Sequence, residues 1–238
     1  MNYWERRDKL FKYTGGTRQF FPLAQEQLET VSRIIDTHNK DIISFLDLGC
    51  GDGFMGKFIY DMYPNSEGVF LDTSTEMIRK AQESGLKAST KFIVQDFGND
   101  DWTSSLKSKT DFDLIISGFA IHHIGHEKKK RLYRDIYGLL KSNGIFLNLE
   151  HVSSPTETIE GMFTDLFDEA MMEYQKHIGE PKSIEQIQEI YHDPNHKKLN
   201  KLESVVKQCE WLQEIGFAEV DCYLKVFELA LFGGIKNE

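Results

Sequence analysis

Two groups of residues in this chain have types and spacings that suit chemistry. The first is the loop Asp47-Leu48-Gly49-Cys50-Gly51-Asp52-Gly53, where an acid precedes three glycines at alternate positions. Such a loop lets a ligand lie against bare backbone, because glycine accepts turns and close approaches that other residues resist. The second group can move protons. His122, His123 and His126 fall in the run AIHHIGH, and Glu150 with His151 in LEHV. Imidazole changes charge near neutral pH, so His122 and His123 are candidate bases and Glu150 a candidate ligand for substrate or water. Of two adjacent histidines, one is expected to point away from any site. Neither these residues nor Cys50, Cys209 and Cys222 have metal-ligand spacing, and no metal is expected.

The elements that must position these groups alternate. IISFLDLG reads as a buried strand, followed by a helical face of Phe54, Met55, Phe58, Ile59 and Met62. GVFLD is a second strand; Thr73 and Glu76 then have capping-box spacing, and Gly85 suits a helix end. KFIVQDF and FDLIISGF are the third and fourth strands. A helix around Leu132 to Leu140 ends in the turn signal KSNG, before the strand IFLNLEHV. The lysines of EKKKRLYR read as the solvated face of that helix. Alternation of this kind implies a parallel sheet covered on both faces, with ligands bound beyond the carboxyl ends of its strands. Both chemical groups lie at such ends.

Residues 153–200 break the pattern. Ile159, Met162, Phe163, Leu166, Phe167, Ala170, Met171 and Tyr174 make a helical stripe, and a shorter helix, SIEQIQEIYHD, follows. The stripe is expected to be core or lid packing first and a substrate wall only secondarily, and could form a dimer contact. After it come a helix and two extended segments with almost no room between them, expected to pair as an antiparallel hairpin.

The loop's charges select its ligand. Gly51, Gly53 and Gly56 satisfy G-x-G-x-x-G, and Asp72 lies about twenty residues on, as a dinucleotide fingerprint asks. A pyrophosphate would, however, meet Asp47 and Asp52. Like charges roughly 4 Å apart repel by ~4 kcal/mol at an effective dielectric near 20. S-adenosylmethionine carries a sulfonium and an ammonium and no phosphate, so acids here favour it. Asp72 serves either ligand, through ribose hydroxyls.

The chain from about residue 43 resembles the class I S-adenosylmethionine-dependent methyltransferases. The motifs that carry the resemblance are LDLGCGDG, FLDTSTEMI, VQDF, DFDLIISGFAIHHI and LLKSNGIFLNLE. Its C-terminal part is similar to a small-molecule branch that includes trans-aconitate methyltransferase-like proteins and carboxy-S-adenosylmethionine synthase. The resemblance implies a Rossmann-like seven-stranded α/β sheet, mostly parallel, with an antiparallel C-terminal hairpin, a helical N-terminal lid and a helical insertion after the fifth strand. The divisions are a lid (1–40), a cofactor-binding core (41–152), an insertion or cap (153–200) and the end of the core (201–238). It implies methyl transfer to a small molecule by in-line displacement. Gly49, Gly51 and Gly53 would approach the cofactor's methionine part, with Cys50 between them as a small buried residue. Asp47 would order the loop, Asp72 would take the ribose, and Thr73 and Met77 would lie near the adenine. Asp96 would accept from the adenine amino group, unless it caps the following turn. Phe97 would offer an N–H and an apolar face, and Ser117 and Gly118 would pass beneath. Tyr13 or Arg18, in the lid, would approach the cofactor's carboxylate, unless the segment simply packs on the domain.

Composition narrows the partners. The 238 residues carry a formal net charge of −10, which disfavours nucleic acid. No apolar run is long enough to span a membrane, and the charged N-terminus lacks a signal core, so a reduced, cytoplasmic setting is expected. Competing expectations are a carboxy-S-adenosylmethionine synthase that uses prephenate, a tRNA or protein methyltransferase, and a binding protein without catalysis.

Overall fold

The computed structural model describes residues 22–38, 41–106, 111–192 and 198–237. The proposed lid contacts of Tyr13 and Arg18 fall outside them. Seven strands form one sheet in the order β3-β2-β1-β4-β5-β7-β6. The parallel strands are β1 (Ser44–Leu48), β2 (Glu67–Asp72), β3 (Lys91–Val94), β4 (Phe112–Gly118) and β5 (Leu140–His151), and antiparallel β7 (Leu229–Lys236) and β6 (Phe217–Val226) complete the edge. The expected hairpin is therefore present, closed by Phe227 and Glu228 alone.

Helices cover both faces. α1 (Ala24–His38), α2 (Phe54–Met62) and α3 (Thr75–Glu83) bury Val31, Ile35, Phe58, Ile59 and Ile78 against Phe45, Leu114 and Leu147. On the other face α4 (His126–Leu139) and α7 (Val205–Ile215) bury Leu132, Ile136, Trp211 and Leu212 against Leu46, Ile115 and Phe146. Strand residues alternate between these cores, which is why the strands read as apolar throughout. α5 (Glu157–His177) and α6 (Ile184–Tyr191) fill the insertion between β5 and α7.

Three local expectations need correction. The cap of α3 is Ser74, whose Oγ accepts from Met77 N at 3.2 Å; Thr73 is exposed, and Glu76 pairs with Arg79. The KSNG turn lies inside β5: β4 advances from Phe112 to Leu114 while β5 advances from Leu140 to Ile145, with Asn143 at φ 62. The extra residues bulge out of the ladder, as happens where one strand carries residues its partner cannot match. Lys129 is not on the solvated face. It is buried, and its ammonium donates to Lys201 O from beneath the segment that leads into α7.

Candidate active site

The glycine loop crosses the carboxyl end of β1, next to β4, where strand order reverses. Gly49 and Cys50 both donate to Leu71 O, at 2.7 and 3.0 Å, so the loop hangs on β2. Asp47 is fully buried and accepts from Gly56 N at 2.7 Å, tying the strand end to the first turn of α2. Gly49, Gly51 and Gly53 all take left-handed φ values (69, 53 and 86). Their surroundings differ. A Cβ on Gly49 would come within 2.2 Å of Ala120 Cβ, so this glycine is required by the turn after β4. At Gly51 a Cβ would meet nothing within 4 Å, and open space borders the backbone there.

Asp72 closes the loop from the end of β2. One oxygen accepts from Gly51 N at 2.9 Å and the other from Ser74 N at 2.8 Å. Each oxygen can accept a further bond, so the carboxylate keeps capacity for hydroxyl donors. The field at the loop is negative. Burial first, then Asp47, Asp72 and Asp52, push the Cys50 thiol far above its ordinary pKa. That field suits a cationic sulfonium ligand and opposes a diphosphate, so the residues fit S-adenosylmethionine.

Other residues expected at this ligand are placed less simply. Met77 is exposed on the first turn of α3. Asp96 is exposed, with one oxygen accepting from Gly98 N at 2.7 Å in a local turn. The Phe97 ring is buried beneath Gly49, so its apolar face belongs to the core. Ser117 is buried and donates to Leu48 O at 2.8 Å, joining β4 to β1. Gly118 is the last residue of β4.

Beyond the ends of β4 and β5 lies a cavity of about 610 Å³. Phe119, His122, His151, Glu228 and Leu229 form its floor. Glu160, Phe163, Thr164 and Phe167 of α5, with Tyr191 and His192 at the end of α6, form its cap. Asn200 and Leu202 line it from the segment before α7. Phe119 sits at φ 55, an unusual angle for a bulky residue, and its N–H donates to Leu149 O at 2.7 Å. From there a short 3-10 turn, Ile121–His123, delivers His122 to the floor.

Each cavity histidine is backed by a carboxylate. Glu150 holds His122, through the backbone N–H at 2.9 Å and Nδ1 at 2.6 Å, and also accepts from His151 N at 2.8 Å. Glu228 meets His151 Nε2 at 2.7 Å, and Asp168 meets His192 Nε2 at 2.5 Å. Burial alone would raise the Glu228 pKa, but hydrogen bonds from His151 and Ser154 hold it below the ordinary carboxylate value. Glu150 is itself buried and does not line the cavity, so it acts on His122. His123 points outward, its ring centroid 3.9 Å from that of His122. Burial, and next the neighbouring His122, lower its pKa.

The placement of His122 depends on distant residues. Lys201 N donates to His122 O at 2.7 Å, and Lys201 O accepts from buried Lys129. Sequence reasoning missed Lys129, Asp168, His192 and Glu228. The partnership of Glu228 with His151 comes from β5 pairing antiparallel with β7, which sets His151 opposite Leu229. Among the described residues no group of three His, Cys, Asp or Glu side chains could hold a metal ion.

Comparison with known proteins bears on this geometry. Residues 45–144 match the model of a methyltransferase domain family. The chain is 28% identical over 138 residues to malonyl-[acyl-carrier protein] O-methyltransferase 2 of Ilyobacter polytropus, a match covering 58% of this chain and 50% of that protein. It is 24% identical over 224 residues to carboxy-S-adenosyl-L-methionine synthase of Nautilia profundicola, covering 90% and 86%. The chain thus spans about half the length of the first of these relatives. Among solved structures, the S-adenosylmethionine-dependent methyltransferase SibL shares the fold, with a TM-score of 0.59 at 14% identity over 90% of this chain and 56% of that one.

Proposed function

We propose that this chain, whose residues 45–144 match a methyltransferase domain, is a class I S-adenosylmethionine-dependent methyltransferase that transfers a methyl group to a small molecule held under α5 and α6. Bound S-adenosylmethionine supplies a methyl carbon activated by positive sulfur. The chain's own work is to hold that donor, place the acceptor in line, exclude water and take a proton. Gly51 offers the open stretch of backbone, Asp72 takes the ribose hydroxyls, and Asp47 keeps the loop in shape. Asp96, Thr73, Met77, Gly118 and the backbone of Phe97 border the nucleoside. His122 accepts the acceptor's proton at Nε2, the nitrogen opposite its contact with Glu150. Glu150 fixes the tautomer, and His123 supports the ring from outside.

The observation that carries this reading is the junction of the two sites. Gly49 packs against Ala120, the residue before the turn that carries His122, so the donor loop and the acceptor floor meet at the β1–β4 switch point. Incubating the protein with a metabolite extract and a labelled methyl donor tests it. Label should enter a small molecule with the wild-type protein and fall sharply with His122→Asn. Label entering nothing would contradict the reading.

The match over 90% of the chain favours a second reading, carboxy-S-adenosylmethionine synthesis. Mass analysis of the copurified nucleoside separates the two, since only the second yields a carboxylated cofactor. Residues 153–200 are taken as the cap that selects the acceptor, on the core of 41–152 and 201–238. Free Cys50, Cys209 and Cys222 support a reducing, cytoplasmic setting, and no helix among the described residues is long and apolar enough to cross a membrane. A homodimer would use the outer side of α5, where Met162 is exposed; sedimentation tests it.

A further inference from the structure

We infer that the acceptor is an aromatic molecule that brings no negative charge into the cavity, which rests on the reading of that cavity as the acceptor site. Its volume of about 610 Å³ suits one small molecule. Phe119, Phe163, Phe167 and Leu229 give it apolar walls, and the Phe163 and Phe167 ring centroids lie 6.4 Å apart on one face of the cap. Flat guests gain from edge and face contacts with such rings.

Charge decides the rest. His122, His151 and His192 each sit against a carboxylate, at 2.6, 2.7 and 2.5 Å. A histidine–carboxylate pair carries a net charge of minus one when the imidazole is neutral and zero when it is protonated. In neither state is it positive. Among the described lining residues there is no Lys or Arg. A carboxylate guest leaving water would find no cation to pair with among the described lining residues, which is strongly unfavourable in a largely apolar cavity. A phenol or an N-heterocycle pays no such cost and can donate its proton to imidazole. The inference separates this chain from the relative whose name carries a malonyl group.

Calorimetry on the full chain with three phenols of matched shape tests it, in saturating S-adenosylhomocysteine. Neutral 4-ethylphenol and cationic tyramine should bind, and anionic 3-(4-hydroxyphenyl)propanoate should bind more weakly by about tenfold or more. Thr164→Arg, which adds a cation to the cap, should reverse that order. Propanoate binding as tightly as 4-ethylphenol in the wild type, no binding of any of the three, or an unchanged order in Thr164→Arg would overturn the inference. Titration with S-adenosylhomocysteine alone keeps the two readings apart. Absence of heat there would sink the proposed function, whereas a reversed phenol order with the nucleoside bound sinks only this inference.

Discussion

Glu150 grips His122 twice. One carboxylate oxygen accepts from the His122 backbone N–H at 2.9 Å, and the other meets the ring Nδ1 at 2.6 Å. With only 1% of Glu150 exposed, the pair fixes both the position and the tautomer of the ring. Glu150→Gln should keep the fold and lower kcat by about tenfold or more, with KM for S-adenosylmethionine little changed. Glu150→Ala, which leaves the pocket unfilled and the ring unheld, should cost about 3 kcal/mol in urea denaturation.

Gly49 and Gly51 should respond differently to the same change. Gly49→Ala drives a Cβ into Ala120 at a left-handed φ, so it should destabilise the protein by about 2–3 kcal/mol or more. Gly51→Ala meets no atom and should cost only about 1–2 kcal/mol of backbone strain. Its main effect should be on affinity for S-adenosylhomocysteine, because the added methyl occupies the open space beside the loop. Thermal melts with and without the nucleoside distinguish the two.

Glu228 should contribute to acid sensitivity. Its folded pKa lies below the ordinary 4.5. A depressed carboxylate gives stability that is fully present above its unfolded pKa and is lost as pH falls through the folded one. Urea midpoints measured downward from pH 6 should therefore decline below about 4.5. Glu228→Gln should remove part of that decline.

His123 should contribute in a higher window. Its pKa is lowered from 6.5, first by burial and then by His122. The unfolded chain then binds this proton first, so stability declines as pH falls from above 6.5 through the folded value. His123→Gln should flatten the slope. It should also lower turnover more than S-adenosylhomocysteine affinity; equal losses would make the residue purely structural.

The sheet and its chemical ends were legible because they follow from local rules. Apolar runs alternated with helical stripes, and Asp47 to Gly53 and Asp72 fell at strand ends. Serine and threonine compete for the same cap, so placing it at Ser74 was beyond residue types alone. Lys129 reads as a surface lysine until the Lys201 segment folds over it. Glu228 was hidden because the two-residue turn that presents it, with Phe227 at φ 49, contains no glycine or asparagine to mark it. Asp168 on α5 and His192, just past the end of α6, are 24 positions apart, and only the packing of α5 on α6 brings them together. Periodicity reports which face of an element is buried. It does not report which polar groups from distant elements meet there.

The loop from Asp47 to Gly53, closed by Asp72, should take a sulfonium nucleoside and refuse a diphosphate. Calorimetric titration of the wild-type chain and of Asp72→Ala with S-adenosylmethionine and with NAD tests this most directly. S-adenosylmethionine should bind the wild type, Asp72→Ala should weaken it by about tenfold or more, and NAD should give no heat with either. NAD binding to the wild type and lost in Asp72→Ala would contradict it.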